Sequence, residues 1–162
     1  MANLTDELKT ALSSVVSDVG DVVAITRDVA KDFIVGTLKA GGDVATTSVG
    51  AVGNVVSEGV SATSQAGVSL TEAVTGLVKG VIEGVKEVGG DVGATATEAA
   101  QFAVKSGNEV GGDVGEVAVS AVEGAISAAH DIGEDSGTLA KDAAVGTLKA
   151  ADEIGSEAGG LA

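Results

Sequence analysis

Residues 111–132 read GGDVGEVAVSAVEGAISAAHDI, and this stretch decides the expected fold class. Its first residues belong to the hexapeptide VGGDVG at Val110–Gly115, which also occurs at Val88–Gly93. Related hexapeptides follow as IGEDSG at Ile132–Gly137 and IGSEAG at Ile154–Gly159, so successive copies keep one constant spacing of twenty-two. The chain therefore contains a tandem repeat, and stretch 111–132 is one complete unit of it.

The repeat length has a helical period. Twenty-two is two elevens, and eleven residues make three helical turns at about 3.67 residues per turn. On this wheel one side of the copy that starts at Gly111 is an apolar stripe, which consists of Val114, Ala118, Ala121, Ala125, Ala129 and Ile132. The opposite, solvated side consists of Glu116, Ser120, Glu123, Ser127, His130 and Asp131. The apolar arc spans about 165°, so we expect each helix to contact more than one neighbour.

The competing interpretation is a β-strand, because valine and threonine are plentiful. The alternation that a half-buried strand needs is sustained only briefly, as from Val117 to Val119, whereas steps of four and three recur in every copy. We predict an all-α fold of long amphipathic helices that assemble into a helical bundle, ring or tube. The residues expected to form the apolar assembly face are Val92, Val110, Val114, Ala118, Ala121, Ala125, Ile132 and Ile154.

The register of the repeat divides the chain. Lys31–Ala40 (KDFIVGTLKA) matches Lys141–Ala150 (KDAAVGTLKA) at a distance of five full repeats, whereas the Gly-Gly-Asp at positions 41–43 arrives four residues early. A slip of four residues is roughly one helical turn, so a helix keeps its facing across it. We predict an N-terminal amphipathic helical segment (residues 1–40), an irregular repeat or connecting segment (41–66) and a regular repeat region (67–162).

The chain has 25 glycines and no proline. Each glycine inside a helix costs about 0.8–1 kcal/mol relative to alanine, so packing has to stabilise these helices. In one arrangement the Gly-Gly-Asp triplets are breaks, with glycine as a C-cap and Asp91, Asp113 or Asp135 as the next N-cap. In the other, the glycines stay helical and let neighbouring helices approach closely. The sequence supports both, and the glycines assigned to close packing are Gly76, Gly80, Gly84, Gly89, Gly93, Gly111, Gly115, Gly133 and Gly137.

Charge and composition limit the classes of partner. Asp and Glu number 24 against 9 Lys and Arg, which gives a net charge of −15. Nucleic acid and anionic membranes are therefore poor partners, since both require clustered basic residues. The chain has no cysteine, and no signal peptide is recognisable at its start. The longest weakly charged stretch, residues 44–71, is a poor membrane-span candidate, and we predict a cytoplasmic protein, at most peripheral to a membrane.

No arrangement of residues predicts catalysis. His130, Ser127 and Asp131 are close in sequence, but all three fall on the solvated side of the wheel. The aspartates of the Gly-Gly-Asp triplets are too sparse for a calcium-binding repeat, and neither a Walker-type loop nor a dinucleotide fingerprint after a credible strand occurs. We predict that the protein is not an enzyme and has no cofactor, metal site or catalytic residue.

The amphipathic period resembles that of a known group of proteins. Passages such as Val85–Gly93 (VKEVGGDVG) and Glu72–Val81 (EAVTGLVKGV) resemble the 11-residue repeats of synucleins, exchangeable apolipoproteins and perilipin-like proteins. The resemblance implies helices that lie on lipid or associate with one another. Those lipid-binding repeats carry abundant lysine, whereas this chain is acidic and has two Phe but no Trp or Tyr.

These observations lead to one functional hypothesis and two alternatives. The hypothesis is a non-enzymatic, self-assembling helical scaffold, a homo-oligomer that encloses apolar space or serves as the structural, membrane-linking subunit of a larger complex. Its predicted partners are further copies of itself and then neutral lipid, a quinone or a partner enzyme complex, with nucleic acid excluded. The first alternative is a peripheral lipid-coat protein, and the second is a stress protectant that folds only at surfaces.

Overall fold

The computed structural model describes residues 22–41 and 44–161. These residues form helices α1 (Val22–Gly41), α2 (Val44–Ala66), α3 (Leu70–Glu87), α4 (Val92–Glu109), α5 (Val114–Ile132) and α6 (Ser136–Leu161), with no strand among them. The predicted all-α fold of packed helices is therefore confirmed. Residues 1–21 of the predicted N-terminal segment lie outside the described residues.

The Gly-Gly-Asp triplets at 89–91 and 111–113, and the related Gly-Glu-Asp at 133–135, are turns. Helix α5 ends at Gly133, whose φ of 76° lies in the left-handed region that glycine adopts without a Cβ clash. The N–H of Glu134 then donates to the Ala129 carbonyl at 2.9 Å, which satisfies one of the last carbonyls of the helix. The same left-handed glycine ends the preceding helices at Gly67, Gly89 and Gly111.

An aspartate then begins the next helix. The Asp91 carboxylate accepts from the Ala94 N–H at 3.1 Å, and the Asp113 carboxylate accepts from the Glu116 N–H at 3.1 Å. These N–H groups have no partner within the helix, so the cap stabilises its first turn. Asp135 caps α6 in the same way by accepting from the Thr138 N–H at 3.1 Å, whereas the hydroxyl of Ser69 caps α3. Helices α3 to α6 start at positions 70, 92, 114 and 136, and one repeat is one helix with one turn. Of the two arrangements that the sequence supports, the one with breaks forms at these triplets.

The helices form two rows. Within the described residues, each helix packs only against the helices one and two places away along the chain. From α2 onward, consecutive helices are joined by short turns and run antiparallel, as where Gly107 near the end of α4 lies against Val117 near the start of α5. Helices two places apart run parallel, because Gly76 and Gly84 of α3 lie against Val23 and Lys31 of α1 in the same order. One row is α1–α3–α5 and the other is α2–α4–α6, and these six helices do not close into a ring, since α1 does not touch α5 or α6.

The core between the rows is built from small aliphatic side chains. Its largest fully buried members are Ile34, Leu38, Leu77, Ile82 and Leu139, and most other members are valine or alanine. Burial stabilises in proportion to apolar area, at about 25 cal/mol per Å², so such a core gains less per residue than one rich in leucine and aromatic side chains. Close contact between helix backbones adds dispersion energy that larger side chains would otherwise supply.

Candidate functional site

The structure places the predicted apolar-face residues at three depths. Ala121 and Ala125 are fully buried in the core. Five others are half-buried and pack against the core: Val92, Val114, Ala118, Ile132 and Ile154. Val110 is exposed at the turn between α4 and α5. Ser120, which the wheel places on the solvated side, is buried, so the buried face of α5 is rotated toward Ser120 and Gly124.

The predicted close-packing glycines divide into two groups. Gly76, Gly80 and Gly84 lie along the α1–α3 interface, where an added Cβ at Gly80 would collide with the Arg27 carbonyl oxygen. The others lie at helix ends: Gly89, Gly111 and Gly133 form the left-handed turns, and Gly93, Gly115 and Gly137 lie in the first turns of the following helices. Gly93 also packs closely, since an added Cβ would lie 2.8 Å from the Asp142 carboxylate.

The same glycine contact joins the later parallel pairs, at positions that sequence reasoning missed. Gly124 of α5 lies against Thr75 of α3, and an added Cβ would be 2.6 Å from the Thr75 carbonyl oxygen. Gly146 of α6 lies in the same way against the Thr97 carbonyl oxygen of α4. The second pair stands one full repeat after the first at both positions. The signal in the sequence was the recurrence of glycine at one position of the unit.

A hydrogen bond accompanies each of these glycine contacts. The Thr75 hydroxyl donates to the Ser120 carbonyl at 3.2 Å, and the Thr97 hydroxyl donates to the Asp142 carbonyl at 2.9 Å. The two bonds are again one repeat apart. Helices α3 and α5 therefore pack with nearly the same geometry as α4 and α6.

In the α2–α4 pair the glycine lies on the earlier helix and a large side chain lies on the later one, the reverse of the other parallel pairs. Phe102 of α4 stands one repeat before Gly124, at the position where α1, α3, α5 and α6 carry glycine. Its ring lies over Gly53 of α2, where an added Cβ would be 2.9 Å from the ring edge. The hydroxyl of Ser106 hydrogen-bonds Ser57 at 3.0 Å one turn further on.

Ion pairs bridge the same parallel helices at the surface. Lys79 of α3 pairs with Asp131 of α5 at 3.0 Å, and Lys105 of α4 pairs with Glu153 of α6 at 2.9 Å. The hydrogen bond from Lys79 holds the pKa of Asp131 below its ordinary value, and that from Lys105 does the same for the pKa of Glu153. A third pair, Lys86 with Glu134, joins α3 to the turn between α5 and α6 at 2.8 Å. These exposed pairs fix alignment more than they add stability.

One carboxylate is buried between α1, α3 and α5. Glu83 is only 6% exposed, and its Oε1 lies 3.5 Å from Nε of Arg27, while Oε2 has no hydrogen-bond partner. Burial raises the pKa of Glu83 above its ordinary value, although the positive charges of Arg27 and Lys79 oppose that rise. Among the described residues of the α1–α3–α5 row, Glu83 is the buried carboxylate that lacks a full set of hydrogen-bond partners.

The largest exposed apolar side chains lie on α5 and α6. Val119 and Leu148 are 59% and 69% exposed, and Ile126 and Val145 lie on the same two helices. Val119 lines two neighbouring grooves, of about 610 and 280 Å³. The first also contains Thr71, Asp113, Gly115, Glu116, Ser120 and Glu123, and the second contains Ala118, Val122, Glu123 and Thr147. This apolar edge, defined by Val119, Ile126, Val145 and Leu148, is the candidate functional surface.

The polar residues considered from the sequence do not converge on a reaction centre. His130 is exposed near the end of α5, Ser127 is half-buried, and Asp131 pairs with Lys79. Within residues 22–41 and 44–161, no group of three or more His, Asp or Glu side chains is placed to hold a metal ion. No helix in that part of the chain has the length and apolar character required to span a bilayer.

Comparison of the chain with protein-family models, curated proteins and solved structures gives no match.

Proposed function

We propose that this protein is a non-enzymatic, self-assembling helical scaffold, a homo-oligomer whose building block is the two-row bundle. The observation that carries the proposal is the apolar edge on α5 and α6. In arrays whose units contact only their neighbours, a terminal unit that stays in water needs a polar outer face. An apolar terminal face of this kind favours the addition of further helices, because association removes it from water.

The packing of the bundle supports assembly through the edge more than through the interior. The core between the rows is filled by the side chains of the chain itself, and its members are fully or almost fully buried. Neutral lipid, a quinone or a partner enzyme complex would then bind at the apolar edge, or in a space that several copies enclose together. The net charge of −15 keeps such an assembly soluble and disfavours nucleic acid.

Circular dichroism combined with size-exclusion light scattering tests this function, first in buffer and then with vesicles of a neutral phospholipid. We expect full helix content and a mass above that of one chain without lipid. Helix that forms only when vesicles are added would favour the lipid-coat alternative instead. A helical monomer at every protein concentration that does not bind vesicles would contradict both functions.

A further inference from the structure

One sequence of ten residues occurs in both α1 and α6 with only two differences, as Lys31–Ala40 and Lys141–Ala150. In α6 its glycine, Gly146, is buried, and an added Cβ would collide with the Thr97 carbonyl oxygen of α4. In α1 the matching Gly36 is exposed, and no described atom lies within 4 Å of an added Cβ. The same decapeptide is therefore docked through its glycine in α6 and undocked there in α1.

The surface that holds the α6 decapeptide consists of three residues of α4, which we call the α4 docking surface: Gly93, Thr97 and Ala100. Gly93 lies against the Asp142 carboxylate, and Thr97 donates its hydroxyl hydrogen to the Asp142 carbonyl at 2.9 Å. The Cβ of Ala100 is 3.1 Å from the position of an added Cβ on Gly146. Small side chains at these positions let α6 approach the α4 backbone.

Helix α5 presents the corresponding surface one repeat later, at Gly115, Val119 and Val122, which we call the α5 docking surface. Val119 is 59% exposed, Gly115 is exposed, and Val122 is half-buried. Gly115 and Val119 line the larger groove, and Val119 and Val122 line the smaller one. No described helix covers this surface, whereas α6 covers its counterpart on α4.

We propose that the α5 docking surface binds the Lys31–Ala40 decapeptide of a second copy of this chain, in the way that the α4 docking surface binds α6. The inference rests on the proposed function and gives the self-association a surface and a direction. Gly36 then lies against the Val119 carbonyl. Asp32 takes the place of Asp142 and lies at the N-terminus of α5, where free N–H groups and the helix dipole favour a carboxylate.

The partner has to be a second copy, because the two surfaces cannot meet within one chain. Helices α1 and α5 belong to the same row, and α3 packs between them. Each copy then carries one undocked decapeptide, in α1, and one uncovered docking surface, in α5, at opposite ends of that row. Because the two contacting surfaces differ, each copy in a pair still has one unoccupied surface, and further copies can add head to tail.

The outer face of α6 extends the apolar surface beside this contact. Leu38 of α1 is 1% exposed, whereas its counterpart in the decapeptide of α6, Leu148, is 69% exposed. Ile34 is likewise fully buried, whereas its counterpart Ala144 is half-buried. In the head-to-tail contact, α2 of the incoming copy lies beside this face of α6 and covers it.

Sedimentation velocity of the full chain over a range of concentrations tests the contact. Val119→Lys places a charge on the α5 docking surface, and Gly36→Leu places a bulky side chain on the decapeptide. We expect each to weaken association roughly 30-fold, as for loss of an interface hot spot. The matched control is Ala94→Lys, at an exposed apolar residue of α4 outside both docking surfaces and the apolar edge, which leaves association unchanged. All three positions are exposed, so circular dichroism is expected to show an unchanged helix content.

A mixture of the two variants gives the most selective result. Val119→Lys keeps an intact decapeptide and Gly36→Leu keeps an intact docking surface, so an equimolar mixture is expected to form a one-to-one dimer and nothing longer. Association that persists in both single variants would overturn this contact and leave the scaffold function in place. Weakening by Val119→Lys alone would show that α5 binds something other than α1 and would also overturn it. A wild-type chain that is monomeric at every concentration would overturn the scaffold function itself.

Discussion

Helices α3 and α5 lie in one row, two repeats apart in the chain, and equivalent residues in them have different surroundings. Ile82 of α3 is fully buried, whereas Ile126 of α5 is 41% exposed. In the other row, Val104 of α4 is fully buried, and Leu148 of α6, two repeats later, is exposed. The difference does not come from the local pattern, because all four residues are large and apolar. Burial in this array is decided by whether a further helix lies two places along.

The largest expected effect comes from truncating this pair of isoleucines. Ile82→Ala removes fully buried methyl groups and leaves a cavity, so it is expected to lower the free energy of unfolding by about 3 kcal/mol. Ile126→Ala, measured on dissociated protein, is expected to cost no more than about 0.5 kcal/mol. Urea unfolding followed by far-ultraviolet circular dichroism measures both, since the chain lacks Trp and Tyr. Equal losses would mean that Ile126 is covered within one chain.

A smaller difference is expected between two glycines. In Gly124→Ala the new Cβ would lie 2.6 Å from the Thr75 carbonyl oxygen, so α5 has to move away from α3, at a cost of about 2 kcal/mol. In Gly155→Ala the new Cβ meets no described atom, and the higher helix propensity of alanine is expected to stabilise by up to about 1 kcal/mol. Thermal unfolding of the two variants gives shifts of opposite sign. Two upward shifts would contradict the close approach of α3 and α5.

The sequence predicted the helices and two roles for glycine, in turns between helices and in close packing within them. It did not predict which glycine has which role. A Gly-Gly-Asp triplet can cap two helices or lie within one, and the choice depends on the left-handed backbone at Gly89 or Gly111. That conformation is stable because the following aspartate caps the next helix and because the short helices pack into rows. Tertiary packing therefore decides a feature that the local sequence leaves open.

The wheel placed the buried face of α5 imperfectly for a related reason. It assumed one apolar stripe, whereas α5 also packs against α3 through Ser120 and Gly124. Neither residue is apolar enough to mark an interface by hydrophobicity, because their contribution is small size and a backbone carbonyl. The apolar edge was also missed, since Val119 and Leu148 differ from buried valines and leucines only by their place in the array.

The smallest expected effect concerns Glu83, whose counterpart two repeats later is the half-buried Ser127. Burial raises the pKa of the folded-state Glu83 above its ordinary value of 4.5. The unfolded state therefore releases this proton first as the pH rises, and the ionised carboxylate destabilises the fold above the folded-state pKa. Glu83→Gln removes that charge, while Arg27 keeps Asp28 as a partner at 2.6 Å.

We expect the Glu83→Gln variant to exceed the wild type in free energy of unfolding by about 1 kcal/mol near neutral pH. The difference is expected to shrink as the pH falls and to vanish below about pH 3.5, where Glu83 is protonated in both the folded and the unfolded wild type. Urea midpoints at the two pH values measure it, with Ser127→Gln as the control at the edge. A variant that is less stable than the wild type at neutral pH would mean that the Arg27–Glu83 pair outweighs the burial of its carboxylate.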